Sequence, residues 1–154
     1  MTQALRVGIL GAARIAERAV VTPARANGAQ VVAVAARDLG RAQAYASQHD
    51  IPRAYGSYDE LLADPEIDLV YNPSPNSEHV RWTLAALRAG KHVLSEKPFA
   101  ANAAQARLVA AEAGDRLVLE GFHHRYHPAH LRLLELVRTG AIGEVTELQV
   151  NMKF

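Results

Sequence analysis

An α/β fold built on a doubly wound parallel sheet is what this sequence predicts, because short apolar runs alternate with helical stretches along most of the chain. The run at residues 30–36, Gln-Val-Val-Ala-Val-Ala-Ala, is almost continuously apolar, as a strand buried on both faces requires. Polar residues then gather at the carboxyl ends of the runs: Arg37, Asn72, Glu96, Lys97 and Glu120. Ligands of such sheets bind outside those ends, so one cleft could hold all five.

Composition narrows the function classes. A chain of 154 residues with 49% apolar content is long enough for one core of ordinary size. Its net charge is +1 with acidic and basic residues interspersed, which argues against a nucleic-acid footprint or a membrane-surface patch. Cysteine is absent, so disulfides and thiolate chemistry are excluded. No apolar run approaches the ~20 residues of a membrane span, and the start leads directly into a strand, so the expected location is cytoplasmic.

The first element is a strand over residues 5–10, followed by a small-residue turn, Gly11-Ala12-Ala13, and a helix that begins with Arg14, Ile15 and Ala16. In a dinucleotide-binding unit the first glycine of this turn permits a sharp reversal. The second small residue lets backbone approach a diphosphate, and the third lets helix pack on strand. The helix start adds N–H donors and a partial positive charge. Of the pattern G-x-G-x-x-G only Gly11 is kept, with Ala13 and Ala16 at the other two places.

Thr22-Pro23 reads as an N-cap before proline at a first helical position, so the first crossover is expected to break into two short helices ending at Gly28. After the second strand, Asp38 caps a helix over residues 39–49; capping is favoured over a bond from its carboxylate to a ribose. Arg37, with Arg41 one turn on, then suits a 2'-phosphate and leans the cofactor toward NADP, with NAD as the other candidate.

Ser57 and Glu60 form a capping box that opens a short helix ending before Pro65. A strand at 67–71 runs into Asn72-Pro73-Ser74-Pro75-Asn76-Ser77, which cannot extend a ladder because both prolines lack an N–H. A helix from about Glu78 carries Val80, Leu84 and Leu87 on one face and stops at Gly90. His92-Val93-Leu94-Ser95 is a strand, Asn102 caps an Ala-rich helix, and residues 117–120 form one more strand.

Four segments taken together, Gly-Ile-Leu-Gly-Ala-Ala-Arg-Ile-Ala at 8–16, Ser-Pro-Asn-Ser-Glu-His at 74–79, Gly-Lys-His-Val-Leu-Ser-Glu-Lys-Pro at 90–98 and Glu-Gly-Phe-His-His-Arg-Tyr-His-Pro at 120–128, resemble the Gfo/Idh/MocA oxidoreductases. The last segment is most similar to the branch with dihydrodiol and D-xylose dehydrogenases. The resemblance implies a Rossmann-type cofactor domain and hydride transfer between a nicotinamide and a sugar or related hydroxyl or carbonyl compound. It implies that Lys97 serves proton transfer and substrate positioning, that Glu96 lies near the nicotinamide ribose, and that the Lys97-Pro98 bond is cis. An alcohol oxidation releases a proton with its hydride, and a lysine beside a cationic ring can hold or relay that proton.

By the same resemblance Asn72, Pro73, Pro75, Asn76 and His79 line the cofactor cleft, and Arg125 stands near nicotinamide and substrate. His124 occupies a position that is often aromatic in relatives. His123, His124, His127 and His130, with Glu120 nearby, have the composition of a metal site, but no second ligand cluster exists, so no metal is expected.

Pro128 opens an amphipathic helix with Leu131, Leu134 and Val137 apolar, closed by Thr139-Gly140. Residues 147–154 alternate polar and apolar, as a half-buried antiparallel strand does. No partner strand accompanies it, so the chain is expected to be the front of a longer protein, with a dinucleotide-binding domain at 1–122 and the start of a truncated α+β domain at 123–154. The resemblance implies that such a second domain supplies substrate pocket, homo-oligomer contact and a further acid-base residue, leaving this chain alone inactive. The alternative is a complete, non-catalytic nucleotide-binding or interaction module that adds its terminal strand to a partner's sheet.

Overall fold

The computed structural model describes residues 4–151. Six parallel strands lie in the order β3-β2-β1-β4-β5-β6, with β1 at Arg6–Leu10, β2 at Gln30–Ala35, β3 at Arg53–Tyr55, β4 at Leu69–Asn72, β5 at His92–Ser95 and β6 at Val118–Glu120. The order reverses at β1, where chain growth passes from one side of the sheet to the other. That reversal opens a crevice at the carboxyl ends of β1 and β4.

Helices cover both faces. On one, Val7 and Ile9 of β1, Val34 and Tyr71 pack with Ala16, Val20, Val21, Ala46 and Ile51. On the other, Leu10, Ala33, Ala35 and Val70 pack with Leu61, Leu62, Leu84, Leu87 and Val109. Helices α1 (Arg14–Ala16), α2 (Thr22–Ala26) and α3 (Leu39–Gln48) therefore lie opposite α4 (Tyr58–Ala63), α5 (His79–Arg88) and α6 (Ala103–Ala113). Ile9 and Leu10 point to opposite layers at 0% exposure, and each such side chain contributes about 1.5–3 kcal/mol by leaving water. Gly8 has a packing reason: a Cβ there would lie 2.8 Å from Ile67 Cδ1 and 3.0 Å from Leu61 Cδ2.

Three sequence expectations are corrected. The first crossover is not broken at Thr22, whose φ of −65° and ψ of −47° are helical. A π turn over Glu17–Val21 joins α1 to α2, and the Thr22 N–H donates to Glu17 O. The widened turn makes room for the Pro23 ring, which in regular α register would clash with a carbonyl one turn back. The second correction adds β3, a three-residue strand beside β2. The third concerns the terminal alternating segment: residues 147–151 form no strand, and 152–154 lie outside the described residues. A strand without a neighbour has no ladder to hold it, so alternation alone does not extend the backbone.

Caps mark the helix starts where the sequence placed them. Asp38 Oδ1 accepts the Arg41 N–H at 2.8 Å, Ser57 Oγ that of Glu60 at 3.2 Å and Asn102 Oδ1 that of Gln105 at 3.0 Å. The return arm of the capping box reaches one residue further than expected, since Glu60 Oε2 accepts from Gly56 N at 3.1 Å. At the amino rim of the sheet, Asp68 accepts three bonds from Arg6, from the backbone N at 2.9 Å, Nε at 3.0 Å and Nη2 at 2.7 Å. The Arg6 side-chain bonds, against the opposing effect of burial, hold the Asp68 carboxyl below the usual carboxylate range.

The chain divides into two compact units, residues 1–121 and 122–154. In the second, a 3-10 turn at His123–Tyr126 precedes α7 (Pro128–Arg138), whose start is capped by the His127 ring accepting from Ala129 N at 3.2 Å. Leu131, Leu133 and Val137 of α7 are exposed, as are Leu148 and Val150. No helix among the described residues is long and apolar enough to cross a membrane.

Candidate cofactor cleft

β1 ends at the fully buried Leu10, and Gly11 turns the chain with φ of +125°, a conformation that side chains with a Cβ rarely adopt. The turn closes by Ala13 N donating to Gly11 O at 2.7 Å and Ala16 N to Ala13 O at 3.0 Å. Arg14 and Ile15 begin α1 with exposed side chains. A helix start leaves its first N–H groups without intrahelical partners, and these donors suit an anion. Arg41 reaches back from α3 and donates from Nη2 to Ala12 O at 3.1 Å, which ties the turn to the helix after β2.

Beside this turn runs a groove of about 330 Å³ lined by Gly11, Ala12, Ala13, Arg37, Asp38, Arg41, Tyr58, Pro73, Ser74 and Pro75. A neighbouring depression of about 440 Å³ shares Arg37, Tyr58, Ser74 and Pro75 and continues to Glu78, Arg81 and Trp82. The structure thus brings together the predicted residues of the turn, of the end of β2 and of the prolines after β4. Asp38 is engaged as a helix cap, which leaves Arg37 as the exposed cation at the end of β2. A depression of about 260 Å³ between Val21, Arg25, His49 and Asp50 sits at the amino end of β2, away from every candidate residue.

Asn72 and His79, expected along the cleft, turn their side chains inward. Both side chains are closed off from solvent, Asn72 at 0% and His79 at 1% exposure. Asn72 Nδ2 donates to His79 O at 3.0 Å and to Thr83 Oγ1 at 3.3 Å, while its Oδ1 accepts from the Ser74 hydroxyl at 2.7 Å and the Ser74 N–H at 3.3 Å. These bonds shape the loop that presents Pro73 and Pro75. A buried amide must be satisfied in this way, because an unpaired one costs about 1–3 kcal/mol. Asn76 stands exposed at the start of a 3-10 turn, Asn76–Glu78.

Two strands along from β1, Glu96 and Lys97 follow the end of β5, and the Lys97–Pro98 bond is cis. Glu96 Oε1 accepts from the Tyr71 hydroxyl at 2.8 Å and Oε2 from Lys97 N at 3.2 Å. Burial, reinforced by the Glu96 hydrogen bond, pushes the Tyr71 phenol up, so it remains a donor. The Lys97 side chain is exposed at the carboxyl rim. Glu120 closes this edge by accepting from Phe99 N at 2.8 Å.

Arg125 belongs to the second unit, in the 3-10 turn, and is exposed. In that unit the His123 and His124 rings meet edge to face at 5.1 Å. Among the described residues no three His, Asp or Glu side chains converge as metal ligands would.

Sequence reading missed Tyr58, which lines both depressions, and Trp82, which packs edge on against Tyr58 at 4.8 Å and lies under the Arg81 guanidinium. It also missed Tyr71 as the anchor of Glu96. Tyr58 follows β3, and a three-residue strand leaves too little alternation to reveal which side chain ends up at the rim.

The residues present fit a dinucleotide: a glycine turn and helix start for a diphosphate, a cation at the end of β2, and a carboxylate and lysine beyond β5. Fold and groove together define a nucleotide-binding domain of the doubly wound class. A family model described as "Oxidoreductase family, NAD-binding Rossmann fold" matches residues 5–120, and the chain belongs to this family, GFO_IDH_MocA.

Among its relatives are a D-xylose 1-dehydrogenase (NADP(+)) of Haloferax volcanii, 42% identical over 96% of this chain and 46% of the relative, and a trans-1,2-dihydrobenzene-1,2-diol dehydrogenase of Danio rerio, 44% identical over 92% of this chain and 44% of the relative. A crystal structure of a 3-ketoreductase from Actinomadura kijaniata, in complex with NADP and TDP-benzene, superposes with a TM-score of 0.83 at 37% identity. That match covers 92% of this chain and 44% of the reductase. The chain therefore spans under half the length of these relatives.

Proposed function

We propose that this chain is the cofactor half of an NADP-preferring dehydrogenase or reductase acting on a sugar or a related hydroxyl or carbonyl compound. The observation that carries this reading is the groove in which the Gly11 turn, Arg37 and Pro73–Pro75 share one lining at the strand reversal. A bound nicotinamide dinucleotide supplies hydride transfer. The chain's own residues do the rest: amides around Gly11 to Ile15 hold the diphosphate, and Arg37, with Arg41 fixing the turn, faces the 2'-phosphate. Glu96, held by Tyr71, hydrogen-bonds the ribose on the nicotinamide side. Lys97 holds or moves the proton at the substrate oxygen through its Nζ.

The substrate class comes from the xylose dehydrogenase and ketoreductase relatives. In this reading the boundary near residue 122 would separate the cofactor domain from the start of a substrate and oligomer domain. Titration of the chain with NADPH and with NADH, followed by fluorescence, tests the reading. Binding of NADPH at least about tenfold tighter than NADH supports it. Equal affinities remove the preference, and no binding of either removes the reading.

A further inference from the structure

The second depression beside the cofactor groove is lined in part by Arg81 and Trp82, consecutive residues of α5. The guanidinium carbon of Arg81 lies 4.7 Å from the centre of the Trp82 ring, and its Nη1 donates to Glu78 Oε2 at 3.1 Å. Trp82 is held in turn by the Tyr58 ring, edge on at 4.8 Å. An exposed ion pair adds little stability, but these two holds together narrow the positions open to a long side chain. The Arg81 side chain is still 69% exposed, so the face of the guanidinium turned away from Trp82 is open to a ligand.

We infer that Arg81, laid on Trp82 and tethered to Glu78, is a flat platform on which the purine of the nucleotide stacks. The platform rests on the proposed cofactor reading and adds a binding residue to it. In NADP the base and the extra phosphate stand on neighbouring carbons of one ribose, so a phosphate at Arg37 keeps the base close to whatever else surrounds Arg37. The depression shares Arg37 with the groove, and Arg81 stands on the part that the groove does not reach. Guanidinium planes stack on nucleobases as they do on aromatic rings, so a planar cation already lying on an indole can extend that stack by one layer. Its orientation is set before the ligand arrives, which lowers the ordering cost of binding. Such a platform serves the half that NADPH and NADH share and does not choose between them. That choice stays with Arg37.

Trp82 is the only tryptophan of the chain, so its emission reports on the platform directly. Addition of 2',5'-ADP, the purine half alone, is expected to quench that emission, and emission left unchanged at saturation overturns the platform. By isothermal titration, Arg81→Ala should weaken NADPH and NADH alike by about tenfold, the scale of one lost base stack. Arg81→Lys keeps the charge but loses the plane, so it should lose nearly as much. Recovery by lysine to within about twofold of the parent would show a charge at work and overturn the platform. So would a loss confined to NADPH, which would make Arg81 a phosphate contact, or no loss with either coenzyme. If the alanine variant fails to fold, the lysine variant decides by the same comparison. The two readings fail separately. Unchanged coenzyme affinities in the variants remove the platform and leave the cofactor cleft, whereas an unaltered chain that binds neither coenzyme removes both.

Discussion

Tyr71 donates its phenolic hydrogen to Glu96 Oε1 from the end of the neighbouring strand, at 2.8 Å, with the ring buried at 1% exposure. The bond fixes one carboxylate oxygen while the other accepts from the backbone of Lys97. Tyr71→Phe removes the donor and little volume. A hydrogen bond to a charged group contributes about 1.5–3 kcal/mol, so urea denaturation should show a loss near the lower end because Glu96 is partly solvated. NADPH affinity should weaken in parallel, read by fluorescence titration.

Arg37→Ala should separate the two coenzymes. Losing a guanidinium that pairs with a phosphate dianion is expected to cost NADPH about tenfold or more in Kd and NADH less than twofold. Isothermal titration with both checks it, and equal losses would mean that Arg37 does not face the extra phosphate.

Gly8→Ala tests the contact between β1 and the layer beneath it. The new methyl meets Ile67 Cδ1 at 2.8 Å, and overpacking of this kind costs about 1–3 kcal/mol. Ile67→Val removes the offending atom, so the double variant should lose less than the sum of the single losses in chemical denaturation.

The Arg6–Asp68 pair makes a prediction about acid. The folded-state carboxyl titrates below its ordinary value near pH 3.9, so its contribution is present above that range and disappears as pH falls through the folded value. Stability of the parent chain should exceed that of Asp68→Asn by a constant margin between about pH 7 and 5. The margin should close as pH falls below about 4, measured by denaturation at each pH.

Under the proposed role in proton handling, Lys97→Met should leave NADPH binding within about threefold. In a protein that joins this chain to a substrate domain, turnover should fall about 10²–10⁴-fold, the usual contribution of a positioned proton-transfer group. Steady-state kinetics with the corresponding sugar substrate reads this, and unchanged turnover would remove Lys97 from the chemistry.

Much of this was legible before any coordinates. The strands at residues 5–10, 30–36 and 92–95 announce themselves by short, mostly apolar runs, and Asp38, Ser57 and Asn102 cap the helices that they precede. What escaped had physical reasons. Thr22-Pro23 carries a helix-start signal, but the widened turn before it absorbs the proline. The alternation after residue 146 meets no partner and stays unpaired through residue 151. Asn72 and His79 are polar residues at a strand end and a helix start, where sequence cannot distinguish a side chain facing a ligand from one turned inward to satisfy loop carbonyls.

The helix cap at Asp38 has a bearing on redesign. Because that carboxylate already accepts the Arg41 amide, swinging out to grip a pair of ribose hydroxyls would give up a helix cap, at about 0.5–2 kcal/mol. A design that favours the unphosphorylated coenzyme would therefore do better to add an acid on a longer arm, with Asp38 left as the cap.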